Sequence, residues 1–74
     1  MFVSVKDLTK LIDTTLKYLD EAYETKEDHD AEVFDLYVES TNAKLRRQFK
    51  KLCEISSNQK LIETYRKKIE TAIK

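Results

Sequence analysis

The side chains best suited to metal or acid–base chemistry lie in one short acidic segment. Asp28, His29, Asp30 and Glu32 are close together in the chain, and carboxylate oxygens of this kind bind calcium in helix–loop–helix sites. That calcium loop requires Gly at its sixth position, where this chain has Val33. His29 is the only histidine, and a zinc site needs several nitrogen or sulfur ligands. We therefore interpret the segment as a linker that enters a helix, and we predict no metal and no other cofactor.

Glycine and proline are both missing from the 74 residues, whereas an average chain of this length has about five of the first and about four of the second. The loops that cradle phosphate groups in nucleotide-binding enzymes depend on glycine. Carboxylates are abundant, but so small a chain has little room for the apolar pocket that shifts the pKa of a general acid or base. We therefore expect a protein that is not an enzyme.

A basic cluster in the second half of the chain is the best candidate for nucleic-acid binding. On a helix, Lys44, Arg47 and Lys51 form one stripe, and Arg46 and Lys50 form another. Stripes of this kind bind phosphate backbones with release of counterions. The alternative is that these cations face an acidic part of the same chain, or water.

The two halves of the chain carry opposite charge, although the net charge is zero. Residues 1–43 contain four basic and eleven acidic side chains, and residues 44–74 contain ten basic and three acidic ones. A split of this kind either steers partners or holds the two halves together.

Cys53 is the only cysteine and is typical of a small core residue in a reducing compartment. The apolar start at residues 1–3 is interrupted at once by Ser4, Lys6 and Asp7, so it does not resemble a secretory signal. No stretch approaches the roughly 20 apolar residues that a membrane span needs. We expect a cytoplasmic protein without a membrane span.

Apolar residues in the first segment recur at steps of three and four, the spacing of one helical face. They are Val5, Leu8, Leu11, Ile12, Leu16, Leu19, Ala22 and Tyr23. Ser4 is in position to cap this helix, with Asp7 at the capping-box position and Val3 placed to pack on Leu8 as a hydrophobic staple.

The second helix is predicted after the acidic linker at 24–30, with Asp28 or Asp30 as its cap. Its apolar face comprises Phe34, Val38, Thr41, Leu45, Phe49 and Leu52, widened by Leu36 and Tyr37. Residues 40–42 (STN) have low helix propensity. The three- and four-residue spacing of the apolar face nevertheless continues through them, which favours one long helix. The alternative is a strand at 33–38, where β-branched and aromatic residues are concentrated.

A third helix is predicted after a break at 55–58, capped by Ser56 with Gln59 or by Ser57 alone. Its apolar face comprises Leu61, Ile62, Tyr65, Ile69, Ala72 and Ile73. The pattern therefore predicts a single all-α domain over 1–74, a small antiparallel three-helix bundle with helices near 4–25, 31–55 and 57–73. The alternative is a helical hairpin or rod, with the first two helices fused, that dimerises as a coiled coil.

Three segments resemble the microtubule-interacting-and-transport (MIT) domain family. Residues 8–13 (LTKLID), with Leu19-Asp20, look like the first helix of such a domain. Residues 31–37 (AEVFDLY) are similar to the start of the second, and 61–70 (LIETYRKKIE) to the third. The resemblance implies a three-helix bundle that binds short amphipathic helices from the tails of membrane-remodelling filament subunits. MIT domains are usually appended to ATPases, proteases or deubiquitinases.

The predicted binding surface is the groove between the second and third helices. Apolar and aromatic side chains there widen each helical stripe, and exposed apolar strips rimmed by charge mark interaction sites. The predicted partner-binding residues are Leu36, Tyr37, Arg47, Phe49, Leu61, Tyr65, Arg66 and Lys67. The alternative is that these side chains complete the core or a seam between two copies.

We therefore predict a non-catalytic protein–protein interaction module, an adaptor, regulator or inhibitor, that binds a partner helix or an acidic protein surface. A chain of this size is close to the stability margin of a single core, so we also expect a homodimer with antiparallel contacts. A small nucleic-acid-binding regulator that uses the basic stripes of the second helix is the alternative function.

Overall fold

The computed structural model describes residues 4–73. In that range the chain forms three α-helices: α1 (Val5–Glu24), α2 (Ala31–Ile55) and α3 (Gln59–Ala72). The all-α three-helix prediction is confirmed, and the helix ends differ from the predicted ones by at most two residues. The strand alternative at 33–38 is wrong, because α2 runs through that segment without interruption.

The first two helices begin at the caps that the sequence indicates. The Ser4 hydroxyl accepts a 3.1 Å hydrogen bond from the backbone N–H of Asp7. The Asp30 carboxylate accepts from the backbone N–H of Glu32 at 2.9 Å and of Val33 at 3.4 Å. Each bond pairs a donor that the first turn of a helix leaves without a partner. The predicted staple involves Val3, which lies outside the described residues.

The cap of α3 differs from both predicted ones. Asn58 is the capping residue, and its side-chain oxygen accepts a 3.1 Å bond from the N–H of Leu61. The hydroxyl of Ser56 accepts instead from the N–H of Asn58, at 3.2 Å. Asn caps a helix as well as Ser does, so the helix starts one residue later than the Ser57 alternative requires.

A tight turn reverses the chain between α1 and α2, so the alternative of one fused rod is wrong. One 3₁₀ turn at Lys26–Asp28 forms the link. The rings of Tyr23 and Phe34 then meet edge to face across the hairpin, with centroids 5.4 Å apart. The Lys26 ammonium lies 5.4 Å from the centroid of the Phe34 ring. These aromatic and cation–π contacts stabilise the packing of α1 against α2 near the turn.

One apolar core joins the three helices. Ile12 and Leu19 of α1 and Leu45 and Leu52 of α2 are almost wholly buried. The other buried members of this cluster are Leu8 of α1 and Tyr65 and Ile69 of α3. Seven of the predicted face positions therefore form the core, because a three- and four-residue repeat keeps one side of each helix turned inward.

Two predicted interior residues lie outside the core. Leu11 is 52% exposed, and Cys53 is exposed as well. Cys53 directly follows the buried Leu52, and one residue turns an α-helix by about 100°, so the thiol points away from the interior. Among the described helices, neither α2 nor α3 buries Leu11.

The helices differ in length, and this difference shapes the surface. The 25 residues of α2 span about 37 Å and the 14 residues of α3 about 21 Å. Because α3 starts beside the end of α2, it reaches back along only part of that helix. Among the helices described, none combines the length and the hydropathy that a membrane crossing needs.

Candidate functional site: the grooves between the helices

Each pair of helices leaves a groove, and the three grooves differ in size and lining. The α1/α3 groove has a volume of about 750 Å³. The α1/α2 groove has about 410 Å³ and lies on the side of the hairpin away from α3. The α2/α3 groove, which the sequence analysis favours as the binding surface, has about 380 Å³.

The α2/α3 groove contains two of the eight predicted partner-binding residues, Phe49 and Arg66. Phe49 is half-buried and packs against the core. The Arg66 guanidinium is hydrogen-bonded to Glu63 and lies 3.6 Å from a Glu70 carboxylate oxygen. The bond to Arg66 lowers the pKa of Glu63, and the same bond raises the pKa of Arg66. Arg66 is therefore already paired within α3.

Tyr65 faces α1, so its predicted position in the α2/α3 groove is wrong. Its side chain is only 7% exposed, and its hydroxyl donates a 2.9 Å hydrogen bond to Oδ2 of Asp13. The Lys68 ammonium lies 4.7 Å from the Tyr65 ring centroid and 3.7 Å from Asp13 Oδ1. Burial, and then the bond to Asp13, raise the pKa of Tyr65. Tyr65 thus joins α3 to α1.

The remaining predicted residues are spread over several sides of the bundle. Leu61 is half-buried and packs on the core, and Lys67 lines the α1/α3 groove. Leu36 and Arg47 are exposed on α2, and Tyr37 lines the α1/α2 groove. The eight residues therefore do not converge on one site, because α3 is too short to reach Leu36 and Tyr37.

Several of the large hydrophobic side chains that are exposed in the described range line the α1/α2 groove. Tyr18 is 56% exposed, Val33 59% and Tyr37 42%, and all three line this groove. Leu11 precedes Tyr18 by seven residues, about two helical turns, and therefore lies on the same side of α1. Four of the five large hydrophobic side chains that are exposed in the described range thus lie along one hairpin face.

Three of these residues, Leu11, Tyr18 and Val33, were not among the predicted binding residues. The sequence carries a signal for two of them, since Leu11 belongs to the predicted apolar face of α1 and Tyr18 follows it by seven residues. The spacing does not predict whether another helix of the chain covers Leu11 and Tyr18. That depends on where α3 packs.

The basic cluster continues this face along α2. Tyr37, Lys44 and Lys51 follow one another at seven-residue steps, and Arg47 lies between the two lysines on the same side. We call Leu11, Tyr18, Val33, Tyr37, Lys44, Arg47 and Lys51 the open face. It is apolar toward the hairpin end of α2 and basic toward the other end.

The expectation that these cations pair with the acidic first helix is not met within residues 4–73. Lys51 lies 3.7 Å from Glu54 of its own helix. No hydrogen bond or ion pair to the described part of the chain is found for Lys44, Arg46, Arg47 or Lys50, and all four are exposed. Their charges are therefore directed to solvent.

In the described range, no three His, Cys, Asp or Glu side chains are grouped so that they could hold a metal ion. Asp30 caps α2, and His29 Nε2 lies 3.1 Å from the Thr25 hydroxyl. The acidic segment is thus a helix entry, as the sequence analysis interprets it. Comparisons with protein-family models, with characterised proteins and with solved structures give no match.

Proposed function

We propose that this chain is a non-catalytic protein–protein interaction module that binds a partner helix in the α1/α2 groove. The observation that carries the proposal is the exposure of Tyr18, Val33 and Tyr37 along one groove. Apolar side chains gathered on one surface and rimmed by charge are typical of interaction sites. We further propose that it acts in the cytoplasm, where an exposed lone thiol such as Cys53 stays reduced.

A partner helix would occupy the position of a fourth helix beside the α1–α2 hairpin. Helices pack with their axes about 8–10 Å apart and place apolar residues at three- and four-residue steps into such a groove. Tyr18 and Tyr37 form the two walls, and aromatic side chains bury a large area with few rotatable bonds. The MIT resemblance implies the same class of ligand, a short amphipathic helix.

The α1/α2 groove is favoured over the other two because its large apolar residues are exposed and because Lys44 and Arg47, further along the same side of α2, have no ion pair within residues 4–73. In the α2/α3 groove, Arg66 is paired with Glu63 and Glu70. In the α1/α3 groove, Lys68 is paired with Asp13. A partner at either place would have to compete with these contacts. On the open face, Lys44 and Arg47 are available to an acidic partner and would contribute to its orientation and association rate.

Site-specific photo-crosslinking in the source cells tests the proposal. A photoreactive amino acid at position 18 or 37 is expected to capture the same protein, because both side chains line one groove. The matched control is position 39, which is exposed on another side of α2. Equal capture from positions 37 and 39, or capture only from position 49 in the α2/α3 groove, would overturn the proposal.

Nucleic-acid binding through Lys44, Arg47 and Lys51 is the second candidate, favoured because Lys44 and Arg47 are exposed and have no ion pair to residues 4–73. It predicts binding to duplex DNA or RNA that weakens steeply with salt and is lost on charge reversal of all three residues. Absence of a gel shift at low salt would exclude it. Crosslinks to nucleic acid from positions near Lys51, and none to protein from position 37, would favour it over the first proposal.

A further inference from the structure

The two walls of the α1/α2 groove differ in chemistry. Tyr18 and Glu21 line it from α1, and Val33 and Tyr37 line it from α2. Because Tyr18 and Glu21 are three residues apart on one helix, their side chains are neighbours on its surface. The α1 wall therefore places a carboxylate beside an exposed aromatic ring, whereas the residues that α2 contributes carry no charge.

Neither the Glu21 carboxylate nor the Tyr18 ring holds a cation of the described residues. The Glu21 side chain makes no hydrogen bond or ion pair in that range, and no ammonium or guanidinium there lies over the Tyr18 ring. Lys17, four residues before Glu21, lines the α1/α3 groove instead. Lys26 lies over the Phe34 ring. The carboxylate and the tyrosine ring are therefore available to a cation from another molecule.

The contact between α1 and α3 combines the same chemical groups with a cation in place. The Lys68 ammonium lies 4.7 Å from the centroid of the Tyr65 ring and 3.7 Å from Oδ1 of Asp13. A ring face and a carboxylate attract one cation together, the first through its quadrupole and the second through its charge. Tyr18 and Glu21 present the ring and the carboxylate of such a site to a partner that supplies the cation.

We propose that the partner helix sets an arginine side chain on the Tyr18 ring and against the Glu21 carboxylate. Arginine suits this wall better than lysine, because its planar guanidinium stacks on aromatic rings and pairs with a carboxylate through two hydrogen bonds. Apolar side chains of the same helix pack on Val33 and Tyr37 across the groove. This assignment rests on the proposed function and adds the residue type that the groove selects.

The basic end of the open face places the acidic residues of the partner. Lys44 follows Tyr37 by seven residues, about 10 Å along α2. A partner that also pairs with Lys44 therefore carries its acidic side chains about two turns away from its arginine. Such a partner binds in one direction only, because the reverse direction would bring like charges together.

Selection of helical peptides on the full chain tests the assignment. The probe is a phage-displayed library of amphipathic helices of about 20 residues, long enough to form a helix in water. Leucines recur in it at three- and four-residue steps, and the neighbouring positions are randomised. Clones selected on the wild type are assigned to the groove by photo-crosslinking from position 37. Arginine is expected to be enriched at one position beside the leucines.

The variant Glu21→Lys reverses the charge of the α1 wall. Selection on this variant is expected to enrich glutamate or aspartate where selection on the wild type enriches arginine. The control Glu39→Lys reverses a carboxylate that is exposed on another side of α2, and it is expected to enrich arginine as the wild type does. Circular dichroism checks that both variants are folded.

Fluorescence anisotropy of one selected peptide measures the strength of the contact. Replacing its arginine with glutamine is expected to weaken binding to the wild type about tenfold or more. On the variant Tyr18→Leu/Glu21→Gln, the same replacement is expected to change binding by less than about twofold, since the groups that the arginine contacts have been removed. An equal loss on both chains would overturn the assignment.

The outcomes separate this assignment from the proposed function. Groove-bound clones without arginine, or arginine enrichment that persists on Glu21→Lys, would overturn the assignment and leave the proposed function standing. A library that yields no clone crosslinked from position 37 would count against both. Self-association of the wild type that Glu21→Lys abolishes would assign the arginine to a second copy of this chain and overturn a foreign helix as its source.

Discussion

The hydroxyl of Tyr65 donates a 2.9 Å hydrogen bond to the Asp13 carboxylate and so ties α3 to α1 across 52 positions of the chain. Lys68 approaches both the Tyr65 ring and Asp13 from the solvent side. The shortest helix is thereby held against α1 by a polar contact as well as by the core. Its position leaves the opposite side of the hairpin open.

Tyr65→Phe is expected to destabilise the bundle by about 1–2 kcal/mol, because a hydrogen bond to a charged group is lost while the buried ring remains. Urea unfolding followed by circular dichroism measures the change. The double variant Tyr65→Phe/Asp13→Asn is expected to cost less than the sum of the two single substitutions, since the two residues share one bond. Additive losses would contradict the assigned contact.

Stability is expected to fall at alkaline pH, partly because of Tyr65. Its pKa is raised in the folded state, so the folded chain holds the phenolic proton more tightly than the unfolded chain does. This contribution is present below the unfolded pKa of about 10 and is lost as the pH rises through the higher folded pKa. Melting temperatures between pH 8 and 11 are expected to fall less for Tyr65→Phe than for the wild type. Equal slopes would count against the contribution of Tyr65.

The sequence predicts the helices well because each signal is local. The repeat through Ile12, Leu19 and Leu45 identifies the inward side of a helix, and Ser4 and Asp30 mark two helix starts. The repeat does not indicate which of the other two helices packs against each side of an apolar face. Tyr65 was therefore expected beside α2, although its hydroxyl is bonded to α1.

The candidate site was predicted less well, and the reason is the arrangement of the helices. Leu36 and Tyr37 belong to a widened stripe that the sequence pattern places in the α2/α3 groove. The 14-residue α3 ends before it reaches them. Tyr37 also lies on the edge of the α2 stripe that is next to Tyr18 of α1. The sequence identifies an excess of apolar residues on α2, but only packing decides where the excess is exposed.

Leu45→Ala is expected to cost about 2–5 kcal/mol, because it removes a wholly buried side chain and leaves a cavity. Because the bundle is small, its free energy of unfolding is small as well. A large fraction of the Leu45→Ala molecules is therefore expected to be unfolded at room temperature. The matched control is Leu36→Ala on the same helix. Leu36 is 67% exposed, and its truncation is expected to change the free energy of unfolding by no more than about 0.5 kcal/mol. Similar losses in both variants would contradict the burial described for α2.

The cap of α3 gives a direct comparison between the structure and the sequence expectation. Asn58→Ala is expected to cost about 1 kcal/mol, because the N–H of Leu61 loses its partner. Ser57→Ala is expected to be close to neutral, since Asn58 and not Ser57 caps the helix. Urea unfolding of the two variants decides the matter, and a larger loss for Ser57→Ala would assign the cap to the serine.

The proposed function requires that the α1/α2 groove, and not the α2/α3 groove, binds the partner. Capture from source-cell extract by immobilised wild type, Tyr37→Glu and Arg66→Glu tests it most directly, because both substituted side chains are exposed and both variants can be checked for helical content. Tyr37→Glu is expected to lose the captured protein, since it sets a carboxylate among the apolar side chains of the groove. Arg66→Glu is predicted to retain it. Loss with Arg66→Glu and retention with Tyr37→Glu would instead assign partner binding to the α2/α3 groove.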